Sequence, residues 1–129
     1  MIKKITHTPL IVKDQEEALT FFTEKIGLEK RDDSPMGKNQ RWLTVGCKKQ
    51  PDIEIILQAV DWGMDNATPQ ELTAQIGKQG FVFSSDDIEG DYNSLKEKGV
   101  KVLAKPKKES WGYQFSFEDL YGNIHLLVQ

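Results

Sequence analysis

Few residues of this chain could do chemistry. It carries two histidines, His7 and His125, and one cysteine, Cys47. His7 lies in a hydrophobic run that spans Ile2 to Val12. His125 lies in the closing run Ile124 to Val128, directly after Asp119-Leu120-Tyr121-Gly122-Asn123. Those five residues read as a tight hairpin turn, with Asp119 bonding its own backbone. Glu118 reads as solvated. Glu54 alternates with Ile56 on another strand-like run. A His7–Glu54 pairing across strands is an open arrangement that nothing in the spacing singles out. Cys47 follows Gly46 and precedes two lysines. A nucleophilic cysteine needs a base partner, so a structural thiol is the expectation.

The aromatic residues are better organised. Trp111, Tyr113, Phe115 and Phe117 recur at period two, with Gly112, Gln114 and Ser116 between them. Alternate strand residues share a face, so these four form one stripe. Trp42 and Trp62 come from the first half of the chain. Phe22, Phe81 and Phe83 read as core. The stripe suits a pocket for a flat or apolar ligand. It equally suits the face of a sheet that packs on helices, and both assignments stay open.

The elements that must position these residues follow a repeat. After the run ending at Val12, Asp14-x-x-Glu17 has capping-box spacing. Ala18, Phe22 and Ile26 then fall at helical spacing, and Gly27 sits where a helix C-cap glycine belongs. The same grammar returns with Asp86-x-x-Glu89, with Asp86 or its neighbour Asp87 as the cap, then Ile88, Tyr92 and Leu95, then Gly99. Asp14 to Asp86, Glu17 to Glu89 and Gly27 to Gly99 share an offset of 72 positions. Strand-like runs follow each helix: 28–31, 40–45 and 53–60 in the first half, 100–104, 112–117 and 124–128 in the second. Thr68-Pro69-Gln70-Glu71 opens a linker helix over about 68–78. The expectation is an α+β fold of paired β-α-β-β-β modules, about 1–62 and 79–129, forming a curved sheet in one domain over 1–129.

With 129 residues the chain can bury a sizeable core. Its charged fraction of 29%, hydrophobic fraction of 38% and net charge of −3 are those of a soluble globular protein. The densest basic run, Lys105, Lys107 and Lys108, is too small for a nucleic-acid surface. No apolar stretch is long enough to cross a bilayer, and the N-terminus lacks a signal-peptide core. One cysteine excludes an intrachain disulfide, which fits a reducing, cytoplasmic setting.

The doubled unit, the opening "ITHTPLIVKDQEEALTFFTEKIGLEK" and the closing "WGYQFSFEDLYGNIHLL" resemble the vicinal oxygen chelate superfamily, which includes glyoxalase I, extradiol dioxygenases and bleomycin-resistance proteins. The resemblance covers nearly the whole chain. It implies homodimers, and in metal-using members four positions, one each on the first and last strands of both halves, that hold a divalent metal. His7 matches the first. The second falls on Leu57 or Gln58. The third falls on Gln79 by the repeat or Gly80 by the family's spacing. The fourth, usually Glu, is Leu126, with His125 one residue short of it. A β-bulge near Gly122-Asn123 could turn His125 inward.

The best metal set is then His7, Gln58 and Gln79, with His125 in reserve, and it carries no negative charge. The expectation is therefore a binding protein without a catalytic metal or other cofactor. Its site would draw on His7, Trp42, Gln58, Trp62, Trp111, Tyr113, Phe115 and Leu126. A metal-dependent lyase, isomerase or dioxygenase is the alternative. The expected partners are a small-molecule ligand and a second copy of the chain, not nucleic acid or membrane.

Overall fold

The computed structural model describes residues 1–62 and 67–129. The chain forms two compact units, Met1–Gln75 and Ile76–Gln129.

In the first unit, β1 (His7–Val12), β2 (Glu29–Pro35), β3 (Arg41–Gly46) and β4 (Glu54–Ala59) make a sheet in the order β1-β4-β3-β2. β1 runs parallel to β4, with His7 opposite Glu54 and Leu10 opposite Leu57. The helix α1 (Gln15–Thr20) packs on one face. There Leu10, Val12, Leu43, Val45 and Leu57 are buried with Ala18 and Phe22. Each such side chain contributes roughly 1.5–3 kcal/mol by leaving water. Gln15 fastens the helix start to the sheet, its amide donating to the carbonyls of Arg41 and Leu57, both at 2.8 Å. The short helix α2 (Pro69–Thr73) begins with a complete capping box and buries Leu72. It covers only the opening of the expected linker helix.

In the second unit, β5 (Val82–Ser84), β6 (Lys101–Val102), β7 (Lys107–Glu109), β8 (Gly112–Glu118) and β9 (Ile124–Val128) make a sheet in the order β5-β9-β8-β6, with β7 also on β8. The helix α3 (Ile88–Glu97) packs on β6 and β8 through Tyr92 and Leu95. Among the described residues, helices packed on one face of each of two curved sheets give the expected α+β class. β7 was not expected, because Lys107-Lys108-Glu109 has no apolar period. The expected first strand from Ile2 starts instead at His7, where pairing with β4 begins. Among the described residues, no helix is long and apolar enough to cross a membrane.

The helices of the two units differ by one residue. Gly27 and Gly99 both take positive φ, +88° and +79°, as helix-ending glycines do. The N-caps are Asp14, which accepts from Glu17 N–H, and Asp87, which accepts from Gly90 N–H. The cap thus falls on Asp87, the neighbour that the sequence left open beside Asp86, one position past the repeat offset. The cause lies in the first helix, which continues past Thr20 as a π-helical turn, Phe21–Lys25. A π turn is a one-residue insertion into an α-helix. It shows at the exit, where Leu28 N–H donates to Phe22 O across six residues, while Val100 N–H donates to Leu95 O across five. The repeat offset is therefore one longer before the helix than after it.

Candidate functional site

In the first unit, the sheet face away from α1 carries the polar and aromatic residues. Register sets His7 beside Glu54, Pro9 beside Ile56, and Thr44 beside Ile56. Alternation adds Trp42 and Gln58 to that face and leaves Leu57 on the other. Trp42 is the centre of a ring cluster. The imidazole of His7 meets it edge-on at 5.6 Å, and the indole of Trp62 stacks on it at 6.0 Å and 30°. Trp62 is 7% exposed, and its indole N–H finds no partner among the described residues. Gln58 is buried on the same face.

Glu54 is held in place. The fully buried Thr44 accepts Asp32 N–H at 3.0 Å and donates its own hydroxyl proton to Glu54 Oε1 at 2.5 Å. His7 Nε2 lies 3.8 Å from the same oxygen, close enough for charge interaction and too long for a hydrogen bond. His7 Nδ1 lies 2.8 Å from Thr6 Oγ1. The chemistry open to this group is proton exchange between imidazole and carboxylate, or attraction of a positive or proton-donating group. Sequence reasoning had no signal for Thr44, because its role depends on two neighbouring strands.

In the second unit the expected residues scatter. Phe115 is 3% exposed and packs edge-to-face on Tyr92 of α3 at 5.4 Å. Tyr113 donates its hydroxyl to Glu89 in the first turn of α3 at 2.9 Å, and that bond raises its phenol pKa. Both belong to the helix-covered face, which corrects their assignment to an open pocket. Trp111 precedes β8 in the turn, is 65% exposed, and donates its indole N–H to Gln114. It therefore leaves the stripe. Leu126 does lie on the uncovered face, opposite Val82 and Ser116.

His125 is a structural residue. The β8–β9 register runs unbroken from Gln114↔Val128 to Glu118↔Ile124, so no bulge turns it outward. It is fully buried, stacked on Phe81 at 5.5 Å and near Phe83 and Phe117. Its Nδ1 accepts Phe81 N–H at 3.0 Å, so the ring proton sits on Nε2, which donates to Asp119 Oδ2 at 2.7 Å. Asp119 also accepts from Tyr121 N–H, Asn123 N–H and the Asn123 amide. Asn123 in turn accepts Gln79 N–H at 2.9 Å. The hairpin and the entry to β5 are thus laced together. Asp119 has the turn role expected of it.

The caps decide the place of each resemblance-implied metal ligand. His7 is seven residues before Asp14, and Gly80 is seven before Asp87, so Gly80 and not Gln79 is His7's counterpart. Pro9 pairs with Ile56 as Val82 pairs with Leu126, so Ile56 is Leu126's counterpart. These four places hold one imidazole, two aliphatic chains and a glycine. A Cβ on Gly80 would collide with the Ile124 carbonyl oxygen, so that place admits no ligating side chain. Divalent ions take three or more protein donors. Among the described residues, no group of three His, Cys, Asp or Glu could hold one. The residues present do not fit the family's metal. Burial pushes the Cys47 thiol pKa up, in keeping with the structural thiol expected there.

The family model for the Glyoxalase/Bleomycin resistance protein/Dioxygenase superfamily matches residues 4–125. The uncharacterized protein YurT of Bacillus subtilis (strain 168) is 37% identical, covering 98% of both chains. The crystal structure of UcmS2 superposes with a TM-score of 0.86 at 33% identity, covering 99% of this chain and 98% of that one. TnmS3, an antibiotic binding protein from Streptomyces sp. CB03234, superposes with a TM-score of 0.78 at 32% identity, covering 99% and 96%.

Proposed function

Since this chain belongs to the glyoxalase/bleomycin resistance protein/dioxygenase superfamily, we propose that it binds a small planar molecule on the open face of its first unit and holds it without a resident metal. One observation carries the reading. Trp42 stands between His7 and Trp62 on a face that α1 does not cover. Aromatic side chains offer large contact area at little entropic cost, which suits retention of a flat ligand. The similarity to TnmS3, an antibiotic binding protein, supports a sequestering role. The family's metal chemistry finds a single strong donor in His7. A homodimer, implied by the resemblance, belongs to the same proposal.

Tryptophan fluorescence tests it. Planar aromatic compounds should quench emission saturably, and Trp42→Leu should weaken their binding at least tenfold. Metal analysis of untagged protein should find well under one equivalent. One metal ion per chain, lost in His7→Ala, would overturn the metal-free reading in favour of a lyase, isomerase or dioxygenase.

A further inference from the structure

We propose that the ligand of this face is a planar aromatic amine bound as its ammonium ion, the ring against Trp42 and the charge toward Glu54. This deepens the preceding reading and rests on it.

The first argument is the carboxylate itself. Thr44 is committed to Glu54 Oε1, because the threonine oxygen already accepts from Asp32 N–H and its proton has one acceptor left. Glu54 is therefore oriented, while its second oxygen makes no hydrogen bond among the described residues. The carboxylate is about a quarter exposed, with 27% of its side chain accessible, so part of its charge is already removed from water. A group that restores a counter-charge there is favoured.

The second argument is the sign of the face. The strand positions that share it carry three carboxylates, Glu29, Asp32 and Glu54, no lysine, and one arginine, Arg31, at the bulge. Arg31 lies over Gly46 at one end, but its guanidinium is spent on Glu29 and on the carbonyls of Cys47 and Gln50. Arg41 is turned to Asp33 and Glu16. An anionic ligand would meet the Glu54 and Asp32 carboxylates, while the one guanidinium of the face is already paired with Glu29. A cation would meet those charges and the electron-rich faces of the indoles as well.

The third argument is independent of charge. The Trp62 indole N–H is buried and finds no partner among the described residues, which is costly for any donor. An acceptor atom on the ligand would satisfy it. The recognised molecule is then a flat ring that bears an acceptor and a protonated amine.

Three probes share one ring: 4-(aminomethyl)quinoline, 4-methylquinoline and quinoline-4-carboxylate. In fluorescence titrations at neutral pH the ammonium probe should bind about tenfold more tightly than the neutral one, with the carboxylate weakest, as expected for a partly screened charge pair. Glu54→Gln keeps an oxygen for the Thr44 hydroxyl and should collapse the ammonium preference to near unity. Glu97→Gln, on α3, should leave the preference intact. Trp62→Phe keeps the ring and loses the N–H, so 4-(aminomethyl)quinoline should lose its advantage over 1-(aminomethyl)naphthalene. Equal binding of the three probes, or a preference that survives Glu54→Gln, would overturn the cationic ligand and leave the aromatic site standing. Saturable quenching by none of them would overturn the site and this inference together.

Discussion

The two units share a strand-helix-strand plan and put their histidines to opposite uses. In the first, His7 is part-exposed on the face that the helix leaves open, beside a carboxylate it does not quite reach. In the second, His125 is sealed under the helix-covered face and bonded at both ring nitrogens, to Phe81 N–H and Asp119. The counterpart of His7 is Gly80, and the counterpart of Glu54 by register is Ile124. A duplicated scaffold has thus kept its helix caps and hairpin while its open-face chemistry diverged. Caps and turns are needed by the backbone of either unit, whereas a ligand-facing side chain answers only to what it binds.

The strongest way to break this contrast is to exchange the demands on the two histidines. His125→Ala should cost about 4 kcal/mol, since it empties a buried site, leaves Phe81 N–H unpaired and takes one of four donors from Asp119. His7→Ala should cost less than about 0.5 kcal/mol, as a part-exposed residue with no buried partner. Urea denaturation of both variants measures the difference, and equal losses would erase the distinction between a structural and a binding histidine.

Gly80→Ala comes next, with an expected loss of about 3 kcal/mol, because the new methyl meets the rigid Ile124 carbonyl and not a yielding side chain. A neutral result would show that a ligating residue could be accommodated there. Deleting Glu24 gives the first helix the length of the second. It should cost about 2 kcal/mol, because the π turn lets the consecutive Phe21 and Phe22 both bury, meeting edge-to-face at 5.2 Å. Unchanged thermal stability would make the extra residue dispensable.

A smaller effect than these losses concerns Asp33, which the Arg41 guanidinium holds at a pKa of about 2, below its ordinary 3.8. A lowered carboxylate pKa stabilises the fold above the unfolded-state value and loses that contribution as pH falls toward the folded one. Asp33→Asn should therefore cost under about 1 kcal/mol at neutral pH, given its exposure. The gap to wild type should close between pH of about 4 and about 2 in thermal melts. A gap that persisted through that window would assign the effect to packing.

The sequence by itself determined the doubled plan, the hairpin around Gly122, and the two glycines that end the helices. Each is a local rule: only certain residues cap a helix or accept positive φ, and they do so wherever they stand. It set His125 one residue from the ligand position, where a strand side chain points to the other face, and only the unbroken β8–β9 register removed the bulge that could have returned it. It did not reveal the π turn, because Ala18, Phe22 and Ile26 fit an α-helix equally well, and so it could not choose between Asp86 and Asp87 as the second cap. It did not decide which face the stripe of Tyr113 and Phe115 would present. Period two says that residues share a face, and only the packing of α3 against β8 says which face is covered. A His7–Glu54 pairing was conceivable from the sequence but not singled out by it, and the part of Thr44 was out of reach. These residues come from three strands, and their meeting depends on registers that tertiary pairing alone sets.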